Sequence, residues 1–141
     1  EKTQNYKELV NKLKLDKYVI FTGWLDKQTY LKYYIKSKIF ISIPKSDASS
    51  TCLLEAMYYG CIPIVSYIPS NMEWIIDGLN GIINENPKNL DKSIIEALNL
   101  DFEYCAQINK KIIEMKATKE INEKIFINIY ENLLGKTLCK K

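Results

Sequence analysis

Three short apolar runs constrain this chain more than any other feature. Residues 39–43 (Ile39, Phe40, Ile41, Ser42, Ile43), 63–65 (Pro63, Ile64, Val65) and 81–83 (Gly81, Ile82, Ile83) are apolar at almost every position. A strand with one wet face alternates apolar and polar residues, whereas a strand covered on both faces reads as a continuous apolar run. Pro44 ends the first run, and Pro63 is tolerated because it opens the second. A further β-rich run, Tyr18 to Thr22 closed by Gly23, reads as another strand. Neighbouring parallel strands need crossover segments between them, so helices must separate these runs.

The intervening segments have helical spacing. Tyr6, Leu9, Val10 and Leu13 line one side of a helix over 4–14. Asp26 caps a helix carrying Tyr30, Leu31, Tyr34 and Ile35 on one side. Residues 51–59 form a helix stopped by Gly60. Ser70 and Glu73 have the spacing of a capping box that opens a short helix, and Asp77-Gly78 and Asn80-Gly81 are turn pairs. Residues 88–98, 101–116 and 118–134 read as three helices. The expectation is an α/β fold, a parallel sheet flanked by helices, in a single domain over 1–141 with a C-terminal helix within 117–141.

Composition narrows the function. The longest apolar stretch, Cys52 to Val65, is interrupted by Glu55, Gly60 and Pro63, and falls short of the ~20 residues a membrane helix needs. All 20 basic residues are lysines scattered along the chain and the net charge is +3, unlike the basic stripe of a nucleic-acid binder. Without histidine, the segment lacks the commonest general base and metal ligand. Without arginine, a phosphate must be met by lysine, hydroxyls or backbone N–H groups. Cys52, Cys61, Cys105 and Cys139 show no zinc spacing and read as reduced, buried or half-buried thiols of a cytosolic protein.

The chemistry concentrates in residues 44–57. A strand ends, a polar loop follows, and a helix begins near Thr51. Ligands of open α/β sheets bind beyond the carboxyl ends of strands, and a helix N-terminus offers unpaired N–H groups to a phosphate. Ser49, Ser50 and Thr51 add hydroxyls there, although simple N-capping by Ser50 accounts for part of the pattern. Glu55 is the sole charge within 52–59. A carboxylate so placed accepts from both hydroxyls of a ribose; its plain structural role is a solvated stripe favoured by the helix dipole. Asp47 has the corresponding plain role of an Asx turn after the strand.

These residues resemble a known signature. Asp47, Glu55, Ala56-Met57 and the run Gly60 to Val65 are similar to the donor site of retaining glycosyltransferases of family four, which have the GT-B fold. Glu73, the turn Asp77 to Gly81, the run Val19 to Gly23, Tyr33-Tyr34, the run Ile39 to Pro44 and the closing run Ile129 to Leu134 extend the likeness over nearly the whole chain.

The resemblance implies a Rossmann-like parallel sheet, part of the C-terminal half of a GT-B fold. It implies that Glu55 holds the ribose of a nucleotide-sugar donor and that Asp47 contacts the donor sugar. Ser49, Ser50 and Thr51 then face sugar and diphosphate, and Gly23, Trp24 and Leu25 meet the nucleobase. No metal or other cofactor is expected, because helix N–H groups and basic side chains stabilise the leaving diphosphate. The acceptor implied is a glycan or lipid-linked sugar of cell-surface polysaccharide or glycolipid synthesis, met in the cytoplasm or at the inner face of the membrane. Two departures stand out: Asp47 replaces a glutamate one methylene longer, and Ala48, Ser49 and Ser50 replace Gly-Phe-Gly. The implied sheet order 3-2-1-4-5-6 makes residues 18–22 its third strand, with two preceding strands and an amino-terminal domain missing. That strand and the first helix are accordingly expected to be poorly anchored, and the fragment inactive alone. The competing expectation is a non-catalytic α/β partner subunit of a split transferase, pairing through an open sheet edge. A response-regulator-like domain would need an acidic cluster after its first strand, which this sequence lacks.

Overall fold

The apolar runs become a parallel sheet. The computed structural model describes residues 2–48 and 50–138, with side chains over 3–48 and 50–134. In chain order the elements are α1 (Lys2–Lys12), α2 (Lys27–Lys36), β1 (Ile39–Ser42), α3 (Thr51–Tyr58), β2 (Ile62–Ser66), α4 (Pro69–Met72) and β3 (Ile82–Asn84). A 3-10 turn (Pro87–Asn89), α5 (Leu90–Leu98), α6 (Phe102–Lys116) and α7 (Lys119–Leu138) follow. Expected and observed bounds of these elements agree within two residues, except at the end of α7. Cys139 lies outside the described residues.

The chain divides into two units, Glu1–Tyr30 and Leu31–Lys141. The second holds the sheet, in order β1-β2-β3, with Ile39 paired to Ile62 and Ile64 paired to both Ile41 and Ile82. The central strand β2 is buried at Ile62, Pro63, Ile64 and Val65. Its two faces feed two cores. Ile62 and Ile64 pack with Ile82, Ala97 and Cys105, while Val65 packs with Leu53, Met57, Ile75 and Ile113. Each fully buried aliphatic side chain contributes roughly 1.5–3 kcal/mol, so this sandwich of helices around β2 dominates the stability of the unit.

Local chemistry sets the joints. Gly60 ends α3 with φ +89°, a left-handed geometry that favours glycine. Gly81 is required for a different reason: a Cβ there would stand 2.8 Å from the Pro63 carbonyl oxygen. The turn before β3 is held by a reciprocal amide pair. Asn80 Nδ2 donates to Asn109 Oδ1 and Asn109 Nδ2 donates to the Asn80 carbonyl, both at 2.9 Å. Both asparagines are buried. Tyr34 stacks on Tyr59, the C-cap residue of α3, with centroids 6.4 Å apart, and meets Phe40 of β1 edge-on.

In the first unit, α1 forms and Asp26 caps α2 as expected, accepting from the Thr29 backbone N–H at 3.0 Å and its hydroxyl at 2.6 Å. Those bonds hold the Asp26 carboxyl below its ordinary value. The expected strand over 18–22 does not form: these residues join no ladder among the described residues, and Tyr18 and Ile20 are exposed. A strand exists only through a neighbour that takes its N–H and C=O groups.

The capping box at Ser70 is likewise corrected. α4 starts at Pro69 with Ile68 as its uncapped entry residue, Glu73 follows its last turn, and the Ser70 hydroxyl bonds elsewhere. Among the thiols, Cys61 and Cys105 are buried as expected but Cys52 is exposed. Burial pushes the Cys61 thiol up to about 11, and it donates to the Tyr34 carbonyl at 3.2 Å.

Candidate functional site

The site is built where β1 ends. Residues 43–50 lead from Ser42 to α3, beyond the carboxyl edge of the sheet. Ser50 has extended backbone (φ −80°, ψ 99°), and its hydroxyl oxygen accepts from the Leu53 N–H at 3.3 Å. The Ser50 carbonyl accepts from the Leu54 N–H at 3.2 Å. The capping role weighed for Ser50 is therefore real, and it leaves the hydroxyl hydrogen available to donate. Thr51 and Cys52 are the first two helical residues, and their N–H groups have no partner among the described residues. Two open donors at the positive end of a helix make this turn receptive to an anion.

Two carboxylates flank that turn along the chain. Asp47 stands three residues before the cap and is exposed. Its Asx turn would close on the N–H of Ser49, which lies outside the described residues. The Asp47 backbone carbonyl accepts from the Ser70 hydroxyl at 2.9 Å. Glu55 lies five residues after the cap and is half-buried, beside rather than on the face of α3 that buries Leu53, Ala56 and Met57. The apolar stripe thus anchors the helix while Glu55 stays at its margin. Asp47, Ser50, Thr51 and Glu55 consequently share one loop-to-helix segment of the second unit.

Gly23, Trp24 and Leu25 belong to the first unit: Gly23 has φ +61°, Trp24 is fully exposed and Leu25 is half-buried. Sequence reasoning missed Ser70 as a neighbour of the Asp47 loop, because its spacing from Glu73 points to a local cap. It also missed a polar hollow of about 460 Å³ beyond β3, lined by residues including Asp77, Asn84, Lys92, Ser93 and Glu96. There Asn84 Nδ2 donates to the Ser93 hydroxyl at 2.9 Å, while the buried Asn84 Oδ1 has no partner among the described residues. Among the described residues, no group of three or more cysteine or acidic side chains could hold a metal ion. No described helix is long and apolar enough to cross a membrane.

Comparison with known proteins places this architecture. The fold is similar to the 1.35 Å crystal structure of the C-terminal domain of a glycosyl transferase group 1 family protein (LpcC) from Francisella tularensis. The TM-score is 0.72 at 20% identity, covering 83% of this chain and 63% of that one. The chain therefore spans less than two thirds of that structure, and the likeness establishes the Rossmann-like α/β fold of a GT-B C-terminal domain. No curated protein matches the sequence. The family model for glycosyl transferases group 1 matches residues 1–115, which include the loop after β1, the whole of α3 and all three strands. The chain belongs to the glycosyl transferases group 1 family.

Proposed function

We propose that this chain is the donor-binding part of a retaining glycosyltransferase of family four, with the two strands and the amino-terminal domain that complete the GT-B fold lying outside it. The observation that carries the reading is the start of α3, where open Thr51 and Cys52 N–H groups stand between Asp47 and Glu55 in the chain. In this reading those N–H groups, with the Ser49, Ser50 and Thr51 hydroxyls, take the diphosphate of a nucleotide sugar. Glu55 accepts from the ribose hydroxyls and Asp47 from the donor sugar.

The chemistry follows from charge. As the bond from the anomeric carbon to the diphosphate oxygen breaks, negative charge grows on the leaving group. Donors already fixed by a helix meet that charge without reorganising, so no metal ion is needed. The acceptor is a glycan or lipid-linked sugar of cell-surface polysaccharide or glycolipid synthesis, held by the amino-terminal domain on the cytoplasmic side of the membrane. One wall of a two-domain cleft does not exclude water, and the isolated 141 residues are expected to bind donor weakly and not to turn over.

Calorimetry with uridine, guanosine and adenosine diphosphates on the full-length protein tests the reading. One of the three should bind, and Glu55→Ala should cost about 1–3 kcal/mol, the value of hydrogen bonds to a charged group. Unchanged affinity in that variant would leave Glu55 a helix-surface residue and remove the ribose assignment.

A further inference from the structure

The loop that carries Asp47 is tied to the rest of its unit through Asp47 itself. Among the described residues, 44–48 receive a single hydrogen bond, from the Ser70 hydroxyl to the Asp47 carbonyl at 2.9 Å. The segment holding Ser70 is firmly fixed. Asn71 is buried, and its Nδ2 donates to the Ser66 carbonyl at 2.9 Å. The Ile68 N–H bonds the same Ser66 carbonyl at 2.9 Å, and the Tyr67 N–H bonds the Asn84 carbonyl at 3.3 Å. Ser70 thus rides on a turn braced against the last residues of β2 and β3, and it passes that bracing to the loop.

Ordering a residue costs backbone entropy, so a sparsely bonded loop samples more positions once such a restraint goes. The restrained atom belongs to the residue whose carboxylate matters. We propose that Ser70 is a positioning residue for the donor sugar: its hydroxyl fixes the Asp47 backbone and thereby sets where the Asp47 carboxylate stands. This rests on the donor-site reading above, in which Asp47 meets the sugar and Glu55 the ribose. Loss of the Ser70 hydroxyl then weakens recognition of the sugar and spares recognition of the nucleotide.

The test compares uridine, guanosine and adenosine diphosphates with the corresponding diphosphate hexoses by calorimetry on the full-length protein. The wild type binds a diphosphate hexose more tightly than its bare diphosphate. Ser70→Ala lowers that preference about three- to twelve-fold, the equivalent of one hydrogen bond, and leaves affinity for the bare diphosphate unchanged. Ser70→Thr, which keeps a hydroxyl, retains the preference, whereas Ser70→Val, matched to it in size, loses it. Asp47→Asn also lowers the preference, and adding Ser70→Ala to it lowers it little further.

A preference that survives in both Ser70→Ala and Ser70→Val overturns the positioning role and leaves the donor site standing. Equal losses for bare and sugar-bearing diphosphates also overturn it, since they report general damage. A wild type that binds diphosphate with no preference for the sugar form overturns it as well. A wild type that binds none of these compounds overturns both the positioning role and the donor-site reading.

Discussion

Residues 18–22 and 62–66 are both short β-rich runs, yet they meet opposite fates. The second run lies between β1 and β3, donates and accepts along both edges, and buries Ile62, Pro63, Ile64 and Val65. The first contains Tyr18, Val19, Ile20, Phe21 and Thr22, a composition at least as favourable to a strand, and joins no ladder among the described residues. Strand propensity measures how well side chains fit a pleated, half-buried surface; it does not supply that surface. Position in a sheet, rather than composition, separates the two runs.

Core truncation should break the comparison most visibly. Ile64→Ala in the central strand is expected to cost about 2–5 kcal/mol in denaturant unfolding, through lost burial and the cavity left behind. Ile20→Ala, at an exposed position, should stay within about 0.5 kcal/mol. Equal costs would mean that residues 18–22 are buried in the folded protein after all. A smaller effect belongs to the buried amides: Asn109→Ala leaves Asn80 short of partners, and is expected to cost about 1–3 kcal/mol in the same assay.

A pH scan sharpens the contrast further, because it reports from the entry to the central strand. Cys61 immediately precedes β2, and burial raises its thiol from 9.0 to about 11. The folded state therefore holds this proton more tightly than the unfolded state does. The resulting stability is fully present below pH 9 and is lost as pH rises toward 11. Unfolding midpoints measured across that window should fall in the parent and fall less in Cys61→Val. Alkylation at a fixed mildly alkaline pH should reach exposed Cys52 well before Cys61.

Much of this architecture was legible in the sequence, for identifiable reasons. The non-alternating run at β2 reads as a strand covered on both faces and is buried at four positions, whereas β1 leaves Ile41 exposed on one face. Gly60 and Asp26 punctuate the helices where local rules place them. Local rules failed where a distant partner decided the outcome. Ser70 and Glu73 have the spacing of a cap, but Pro69 had already opened the helix, and the hydroxyl found a carbonyl 23 residues away in sequence. Residues 18–22 read as a strand because nothing local reports whether a neighbour exists. Around the candidate site, Asp47 and Glu55 drew attention as acids in unusual company. The bracing by Ser70 left no trace in any local pattern.

The reciprocal pairing of Asn80 with Asn109 has a consequence for how such sequences can drift. The Asn80 amide gives to the Asn109 amide, and the Asn109 amide gives to the Asn80 backbone carbonyl, so either substitution alone strands a polar group in the interior. The Asn80 amide also accepts from the Ile76 N–H and donates to the Trp74 carbonyl. Joint replacement therefore relieves only the part of the penalty shared with Asn109, and the two substitutions should be non-additive. The turn before β3 and the middle of α6 are thus coupled energetically across 29 positions of the chain.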